Sequence, residues 1–290
     1  MSCAIDARGL RFAYPNGVIG LDGVDLRVAH GERVAVLGPN GAGKTTLMLH
    51  LNALLTGEGE LEVAGLRVGR DDVHDLRARV GLVFQDPDDQ LFMPTVREDV
   101  GFGPLNLGLS RAEAEERIAE ALAAVRMEDV AGRAPHQLSL GQRRRVAIAA
   151  VLAMRPSLLV LDEPSANLDP RTRRELLELL ERVDRTMLVV THDLPLAATL
   201  CERAVILSGG RIAADGPCLE ILWKGETLLA RRSFSIPANR VRTITVRLSR
   251  SMYRLLGRHP RLRASAIVLT RGSDGVLRRA EQRRLAVRRT

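Results

Sequence analysis

Cysteine and lysine are scarce in this 290-residue sequence, and no apolar run is long. The three cysteines, Cys3, Cys201 and Cys218, lie far apart and have no histidine at metal-ligand spacing. That excludes a disulfide framework and a zinc site and leaves them as ordinary small residues. The longest apolar stretch, Val146 to Met154, has nine residues, against the roughly 18 or more of a bilayer span, so the chain is expected not to cross a membrane alone. Asp6 interrupts the N-terminus before any apolar segment develops. The expectation is therefore no secretory signal and a body that stays in the cytoplasm. With 46% hydrophobic and 27% charged residues, the chain can bury one large core or two modest ones, which excludes a disordered chain.

Acidic residues are nearly missing from one region only. Residues 1–230 hold 26 basic and 33 acidic side chains, whereas residues 231–290 hold 17 and 2. The net charge of +8 therefore belongs to an arginine-rich tail behind a mildly acidic body, and is no global nucleic-acid footprint.

What is present is an alternation of short β-rich runs with helical patterns, which predicts an α/β fold with a mostly parallel central sheet. Arg33 to Leu37, Gly81 to Phe84, Ser157 to Leu161 and Met187 to Val190 are apolar almost throughout, as strands buried on both faces should be. Ile5 to Tyr14 and Val24 to Val28 alternate without a crossover helix, predicting an antiparallel sheet at the N-terminal edge. Ala204 to Ser208, Gly209-Gly210 and Arg211 to Ala214 read as a hairpin with a two-residue turn. Between the second and third core strands lies a helical stretch, expected as an inserted subdomain over about 86–155. There Ser110 and Glu113 have capping-box spacing, and Ile118, Leu122 and Val125 share one face.

The strongest chemical signal is Gly38-Pro39-Asn40-Gly41-Ala42-Gly43-Lys44-Thr45, which matches G-x-x-x-x-G-K-[ST] between a strand and a helical Thr45 to Leu54. Its glycines let successive N–H groups turn inward toward phosphate oxygens, and the helix N-terminus adds its dipole. Lys44 can then reach the β and γ phosphates, and Thr45 can ligate Mg²⁺. Lys44 is one of two lysines beside 41 arginines, so composition alone would have placed arginine there. Downstream, Leu158-Leu159-Val160-Leu161-Asp162-Glu163 ends an apolar strand in two acids at the carboxyl edge of the sheet. Alone, such an end is as well read as a helix cap. Beside a phosphate loop, Asp162 fits a Mg²⁺ ligand and Glu163 a base that polarises the attacking water.

Leu138-Ser139-Leu140-Gly141-Gln142, just upstream of that strand, resembles the signature of the ATP-binding cassette (ABC) ATPases, with Leu140 where a first glycine is usual. Ser139 and Gln142 also have capping-box spacing, so the segment doubles as a helix start before Arg143 to Met154. Further elements fall in the family's order. Tyr14 resembles the aromatic that stacks on adenine, with Thr46 following the phosphate loop. Gln85 resembles the lid glutamine, which also faces the metal; Asp169 in Ser165-Ala166-Asn167-Leu168-Asp169 the D-loop; and His192 the switch histidine. More narrowly, Phe84-Gln85-Asp86-Pro87-Asp88-Asp89-Gln90-Leu91-Phe92 and Gly101-Phe102-Gly103-Pro104-Leu105-Asn106-Leu107-Gly108 are similar to ATPase subunits of energy-coupling-factor importers of the cobalt and nickel type.

The resemblance implies a P-loop NTPase core over residues 1–230, with ATP and Mg²⁺ as substrate and cofactor. It implies Glu163, His192 and Gln85 as the catalytic set, and Thr45, Gln85 and Asp162 about the metal. It implies an ATPase dimer, homodimeric or paired with a related ATPase, in which Ser139 and Gly141 of one subunit, with Gln142 behind them, close over the nucleotide of the other. It implies membrane partners as well: a transmembrane coupling subunit, received in a groove shaped by the segment after Gln85, and a membrane substrate-binding subunit. The protein would then work at the cytoplasmic face of the membrane on a transition-metal ion or a vitamin. The rival class is a soluble ABC ATPase acting on nucleic acid or ribosomes. Against it, only 91 residues separate Thr46 from Leu138, without heptads, and there is one cassette. For the tail, residues 231–290, three readings stay open: an arm for anionic lipid or RNA, an extension packed on the body with a strand through Ile244, Val246 and Leu248, or translation in a shifted frame.

Overall fold

In the computed structural model, residues 3–69, 71, 73–218, 261–271 and 277–288 are described, the last two ranges as backbone only. From the N-terminus the elements are β1 (Cys3–Ala13), β2 (Ile19–Ala29), β3 (Arg33–Leu37), α1 (Lys44–Leu51), β4 (Glu58–Val63), β5 (Leu66–Arg67), α2 (Val73–Arg79) and β6 (Val80–Val83). Then come α3 (Val96–Asn106), α4 (Arg111–Val125), α5 (Leu140–Ala153), β7 (Leu158–Asp162), α6 (Pro170–Arg182), β8 (Thr186–Val190), α7 (Leu194–Leu200), β9 (Arg203–Ser208) and β10 (Arg211–Pro217). Two further strands, β11 (Arg261–Arg271) and β12 (Leu277–Arg288), form an antiparallel hairpin of their own. By compactness the chain divides into Met1–Leu222 and Trp223–Thr290. The strand expected through Ile244, Val246 and Leu248 lies outside the described residues.

The central sheet has six strands in the order β10-β9-β3-β8-β7-β6. Pairing is parallel from β9 through β6, and only β10 runs antiparallel. The four apolar strands fall within a residue or so of their expected positions. Their lack of alternation has a plain cause: both faces are covered. Ala35, Leu37, Leu159, Leu161, Met187 and Val189 point into a core with the residues of α3 to α7. Val34, Val36, Leu158, Val160, Leu188 and Val190 point the other way, into a core with α1, β1, β2 and β4. A strand with two such faces has no polar side to alternate with. The hairpin β9-β10 turns at Gly209-Gly210, pairing Ser208 with Arg211 as expected.

The N-terminal strands form the expected antiparallel sheet, four strands in the order β2-β1-β4-β5, separate from the central one. Its inner residues, Ile5, Ala7, Leu10, Leu21, Val24 and Leu26, face α1 and the central sheet, while the outer ones are polar. One-sided burial gives the alternation seen in the sequence. In the helical segment, Ser110 and Glu113 complete a reciprocal capping box at the start of α4, and Ile118, Leu122 and Val125 are buried. Ser139 and Gln142 complete a second box at the start of α5.

Candidate active site

The loop between β3 and α1 curls as its glycines require. Gly43 has φ +102, and a Cβ there would lie 2.2 Å from the Gly20 carbonyl; at Gly38, φ +149, it would lie 2.1 Å from the Leu207 carbonyl. Neither a side chain nor its preferred backbone fits, so these positions admit glycine alone. Lys44 is buried, and its ammonium donates to the carbonyls of Gly38 at 2.8 Å and Pro39 at 3.0 Å. The charge is thereby fixed at the loop mouth. Asn40, Gly41 and Thr45 are exposed, Ala42 is packed in the core, and Gly43 stands as the N-cap of α1 with no side chain to shield the first amides. Tyr14 reaches this loop from the other sheet: its hydroxyl lies 2.9 Å from Thr46 Oγ1, and its ring packs edge-on against Phe12.

Strand β7 brings its two acids to the same sheet edge. Asp162 is buried, with no hydrogen bond to its carboxylate among the described residues, and its pKa is pushed up to about 6, first by burial and then by the charge of Glu163, with Lys44 acting in the opposite direction. A desolvated carboxylate beside an ammonium is an electrostatic demand for a further cation. Glu163 adopts a left-handed backbone, φ +43. That conformation is held from several sides. Its N–H donates to Val190 O at 2.8 Å, and its carboxylate accepts from the Thr191 hydroxyl at 3.0 Å and the His192 N–H at 3.1 Å. His192 Nδ1 lies 2.7 Å from Oε1, which places the ring proton on that nitrogen. The His192 side chain itself is 75% exposed.

Arg144, on α5, is the residue that sequence reasoning passed over. Its guanidinium is buried and donates to the carbonyl of Glu163 at 2.5 Å and to that of Gln85 at 2.7 Å. Burial lowers its pKa, with the charges of Asp86 and Glu163 opposing. The Gln85 side chain is exposed. Thr191 was passed over too, although it directly precedes His192.

The signature residues form a second group. Ser139 is exposed and Gly141 buried; a Cβ on Gly141 would lie 2.3 Å from Thr172 Cγ2, so the start of α5 seats closely on the start of α6. Asp169 caps α6, accepting from Arg171 N at 2.9 Å, Thr172 N at 3.1 Å and the Thr172 hydroxyl at 2.5 Å, and these bonds hold its carboxyl below the usual range. Ser165, in the same loop, donates to Asp193 at 2.7 Å, and Arg173 pairs with Asp193 as well, tying the loop to the residue after His192.

The chain thus gathers Tyr14, Gly38 to Thr46, Asp162, Glu163, His192 and the Gln85 backbone at one sheet edge, and Ser139, Gly141, Gln142 and Asp169 at another place. Among the described residues no group of three or more His, Cys, Asp and Glu side chains is placed to hold a metal ion. Mg²⁺ takes one or two protein ligands and fills its octahedron from phosphates and water. Thr45 and Asp162, with Gln85, are the residues that would hold it. The buried cysteines are inert: the Cys201 thiol is pushed up to about 12 by its surroundings, and Cys218 donates to the Ala197 carbonyl.

Residues 21–166 match the ABC transporter family. The chain is 48% identical to the energy-coupling factor transporter ATP-binding protein EcfA of Methanothermobacter thermautotrophicus, over 80% of this chain and 76% of that one. It is 50% identical to the cobalt import ATP-binding protein CbiO of Rhodobacter capsulatus, over 79% and 84%. Among solved structures it is similar to CbiO1 of Clostridium perfringens, part of the ABC transporter complex CbiONQ, with a TM-score of 0.71 and 34% identity over 78% of this chain and 92% of that one. It is also similar to the ATP-binding cassette MJ0796, seen as a post-hydrolysis dimer with ADP and Pi, with a TM-score of 0.66 and 30% identity over 74% and 98%. The chain therefore belongs to the ABC transporter ATP-binding proteins and is an ATP-hydrolysing cassette of that family.

Proposed function

We propose that residues 1–230 form the ATPase domain of an energy-coupling-factor type importer, with residues 86–155 as its helical subdomain and residues 231–290 as an arginine-rich appendage. The observation that carries the chemistry is Glu163, a buried carboxylate next to Asp162, which itself feels the charge of Lys44, and held by Thr191 and His192. Hydrolysis of a phosphoanhydride needs positioning and charge neutralisation more than covalent help. The glycine loop and the α1 N-terminus bind the phosphates, Tyr14 takes the adenine face, and Lys44 holds the β and γ oxygens. Thr45 and Asp162, with Gln85, would hold Mg²⁺, which would supply neutralising charge. Glu163 accepts the proton of the attacking water, with Gln85 and His192 orienting the water and the γ-phosphate.

In this reading the site is completed by a second ATPase subunit, whose Ser139 and Gly141 cover the nucleotide. The exposed Ser139 is available for that contact, and the similarity to a cassette seen as a dimer supports it. Binding of two ATP closes the pair, and hydrolysis opens it, which gives a membrane subunit a two-state element to couple to. That subunit would dock where Phe92 and Phe102 pack edge to face at 4.9 Å with both rings exposed, close to Leu105 on α3. Monomeric soluble surfaces seldom leave such aromatics uncovered. No described helix is long and apolar enough to cross a membrane, so the protein would sit peripherally on the cytoplasmic face. The similarities to CbiO and EcfA favour a transition-metal ion such as cobalt or nickel, or a vitamin, as the solute.

Purification of the full chain from cells expressing it with its genomic neighbours tests this reading. Recovery with membrane subunits, whose reconstituted vesicles take up labelled cobalt or nickel in an ATP-dependent way, is the expected result. Recovery with ribosomes or nucleic acid and no membrane protein would overturn the importer assignment.

A further inference from the structure

Helix α5 joins three parts of the active site through side chains of its first turns and its flank. At its N-cap stands Ser139 of the signature. On its flank, Arg143 pairs with Asp88 at 3.0 Å, and the Ala147 carbonyl accepts from the Gln90 side chain at 2.9 Å, which fastens the helix to the segment that follows β6. Five residues after the cap, roughly 7.5 Å along the axis, Arg144 spans the gap between that segment and β7.

The bonds of Arg144 are unusual for a buried cation. Its two N–H groups go to two main-chain carbonyls, those of Gln85 and Glu163; among the described residues it pairs with no carboxylate, Asp86 and Glu163 acting on it only through their charge, and its Nε has no hydrogen-bond partner. A packed apolar side chain would serve stability as well or better at such a position. What an apolar side chain could not do is hold two peptide planes at a fixed separation, which is what a planar fork of donors does well. One of those peptides belongs to Glu163, a non-glycine residue with φ +43. Such a conformation is costly and persists only where its surroundings fix it. The Glu163 main chain is fixed by hydrogen bonds that include those from its N–H to Val190 O and from Arg144 to its carbonyl; loss of the second lets the main chain shift, and a shift there carries the carboxylate away from Thr191 and His192.

We propose that Arg144 is a positioning residue that aims the Glu163 carboxylate by clamping its peptide to that of Gln85, so that the base is competent only while α5 and the segment after β6 are docked together. Through α5 the same clamp links this subunit's own base to its Ser139, the residue proposed to close over the other subunit's nucleotide. Events at the signature or at the Phe92 surface then reach Glu163 through one guanidinium.

Because this assignment takes Glu163 as the base, the test uses a double-mutant cycle in the full chain, reading steady-state ATP hydrolysis with Mg²⁺. Arg144→Met is expected to lower kcat by roughly 10- to 100-fold, the effect of losing charge-assisted hydrogen bonds that orient a reacting group, with KM for ATP changed less than about threefold. Arg144→Lys, which keeps the charge but can reach one carbonyl at a time, should fall between, and carries the test if Arg144→Met does not fold. The decisive reading is non-additivity: in a Glu163→Gln background the Arg144 change should alter the residual rate by less than about threefold, since no base remains to be aimed. Losses that add fully to Glu163→Gln, or a KM that rises in step with the fall in kcat, would overturn the positioning role and leave Arg144 a stabilising residue only. Near-wild-type hydrolysis by Glu163→Gln alone would strike at the base assignment itself, and Arg144's role would fall with it.

Discussion

The sheet-edge cluster and the signature segment treat their polar groups in opposite ways. At the sheet edge, Lys44, Asp162 and Glu163 are buried, and the partners of Lys44 and Glu163 come from several elements: loop carbonyls, the end of β8 and the residues after it. In the signature, Ser139 and Gln142 bond to each other, and the Ser139 hydroxyl lies open. A group that reacts within one chain can be preorganised by that chain, at the cost of burying charge. A group that must meet a second molecule has to be satisfied locally and left accessible. The difference between the two regions is what the proposed site, divided between subunits, would require.

The largest expected effect removes the chemistry from the buried region and leaves its shape. Glu163→Gln keeps an oxygen to accept from His192 N and Thr191 but cannot take a proton, so turnover should fall by roughly 10²- to 10⁴-fold. ATP binding should persist, and an ATP-dependent dimer should accumulate on size-exclusion chromatography. Hydrolysis near the wild-type rate by purified Glu163→Gln would remove the contrast at its catalytic end.

A smaller effect is expected from the exposed region, and it should act at a distance. Ser139→Arg leaves every residue of its own sheet edge untouched, but it puts a bulky side chain in place of the exposed hydroxyl proposed to cover the partner's nucleotide. Loss of one such donor costs roughly 10²- to 10³-fold where it contacts the transition state. Mixed with wild type, the variant should depress activity below that of the wild type alone at the same concentration, because mixed dimers carry one spoiled site. Simple dilution, with wild-type activity unaffected, would show that each chain completes its own site. For the same reason, specific activity of the wild type should rise more than linearly with concentration.

How much of each region was legible follows from how it is built. The phosphate loop was readable because its geometry admits few residues: Gly38 and Gly43 abut backbone carbonyls, and Lys44 is an exception in an arginine-rich chain. The apolar strands were readable because two cores demand unbroken apolar runs. Strand β4 was not, since Glu58 to Glu60 face solvent and only Leu61 and Val63 are buried, too short an alternation to stand out. Arg144 was hidden for a different reason. It stands in the run Arg143-Arg144-Arg145, and nothing in the sequence separates the one arginine buried against two active-site carbonyls from its half-exposed neighbours. The left-handed backbone of Glu163 is likewise invisible, because glutamate carries no signal for it.

Between these regions, α1 offers a pH-dependent probe of the buried side alone. His50 is buried, its Nδ1 lies 2.7 Å from the Thr46 carbonyl, and its Nε2 has no partner, so burial holds its pKa below the ordinary value. The neutral ring donates from Nδ1 and fits; the charged ring would bury a second, unsatisfied proton. A folded pKa below the unfolded one means stability present above about pH 6.5 and lost as pH falls toward the folded value, with a slope of at most about 1.4 kcal/mol per pH unit. In thermal melts from pH 8 to 5, the wild type should therefore lose stability relative to His50→Leu as pH falls. A constant gap across that range would mean that His50 does not titrate differently in the two states.

The smallest effect is expected from the region that belongs to neither side. Every residue assigned to phosphate, base, signature or D-loop lies before Ala230, and the last strand of the central sheet, β10, ends at Pro217. The Cys218 N–H closes that strand onto Glu202 O at 2.8 Å, and among the described residues the six-stranded sheet draws all its strands from before the tail. The 17 arginines and 2 acids of residues 231–290 instead suit contact with anionic surfaces, where basic side chains add attraction that salt screens. A chain ending at Ala230 should fold, bind ATP and hydrolyse it within a few-fold of full length, while its retention on heparin and on anionic lipid vesicles drops. The heparin arm separates simple charge from the ATPase chemistry, because loss of retention with unchanged hydrolysis assigns the positive charge to the tail and the catalysis to the body. Unfolding of the shortened chain, or loss of nucleotide binding, would show instead that residues beyond Ala230 are part of the cassette itself and that the buried region of the site depends on them.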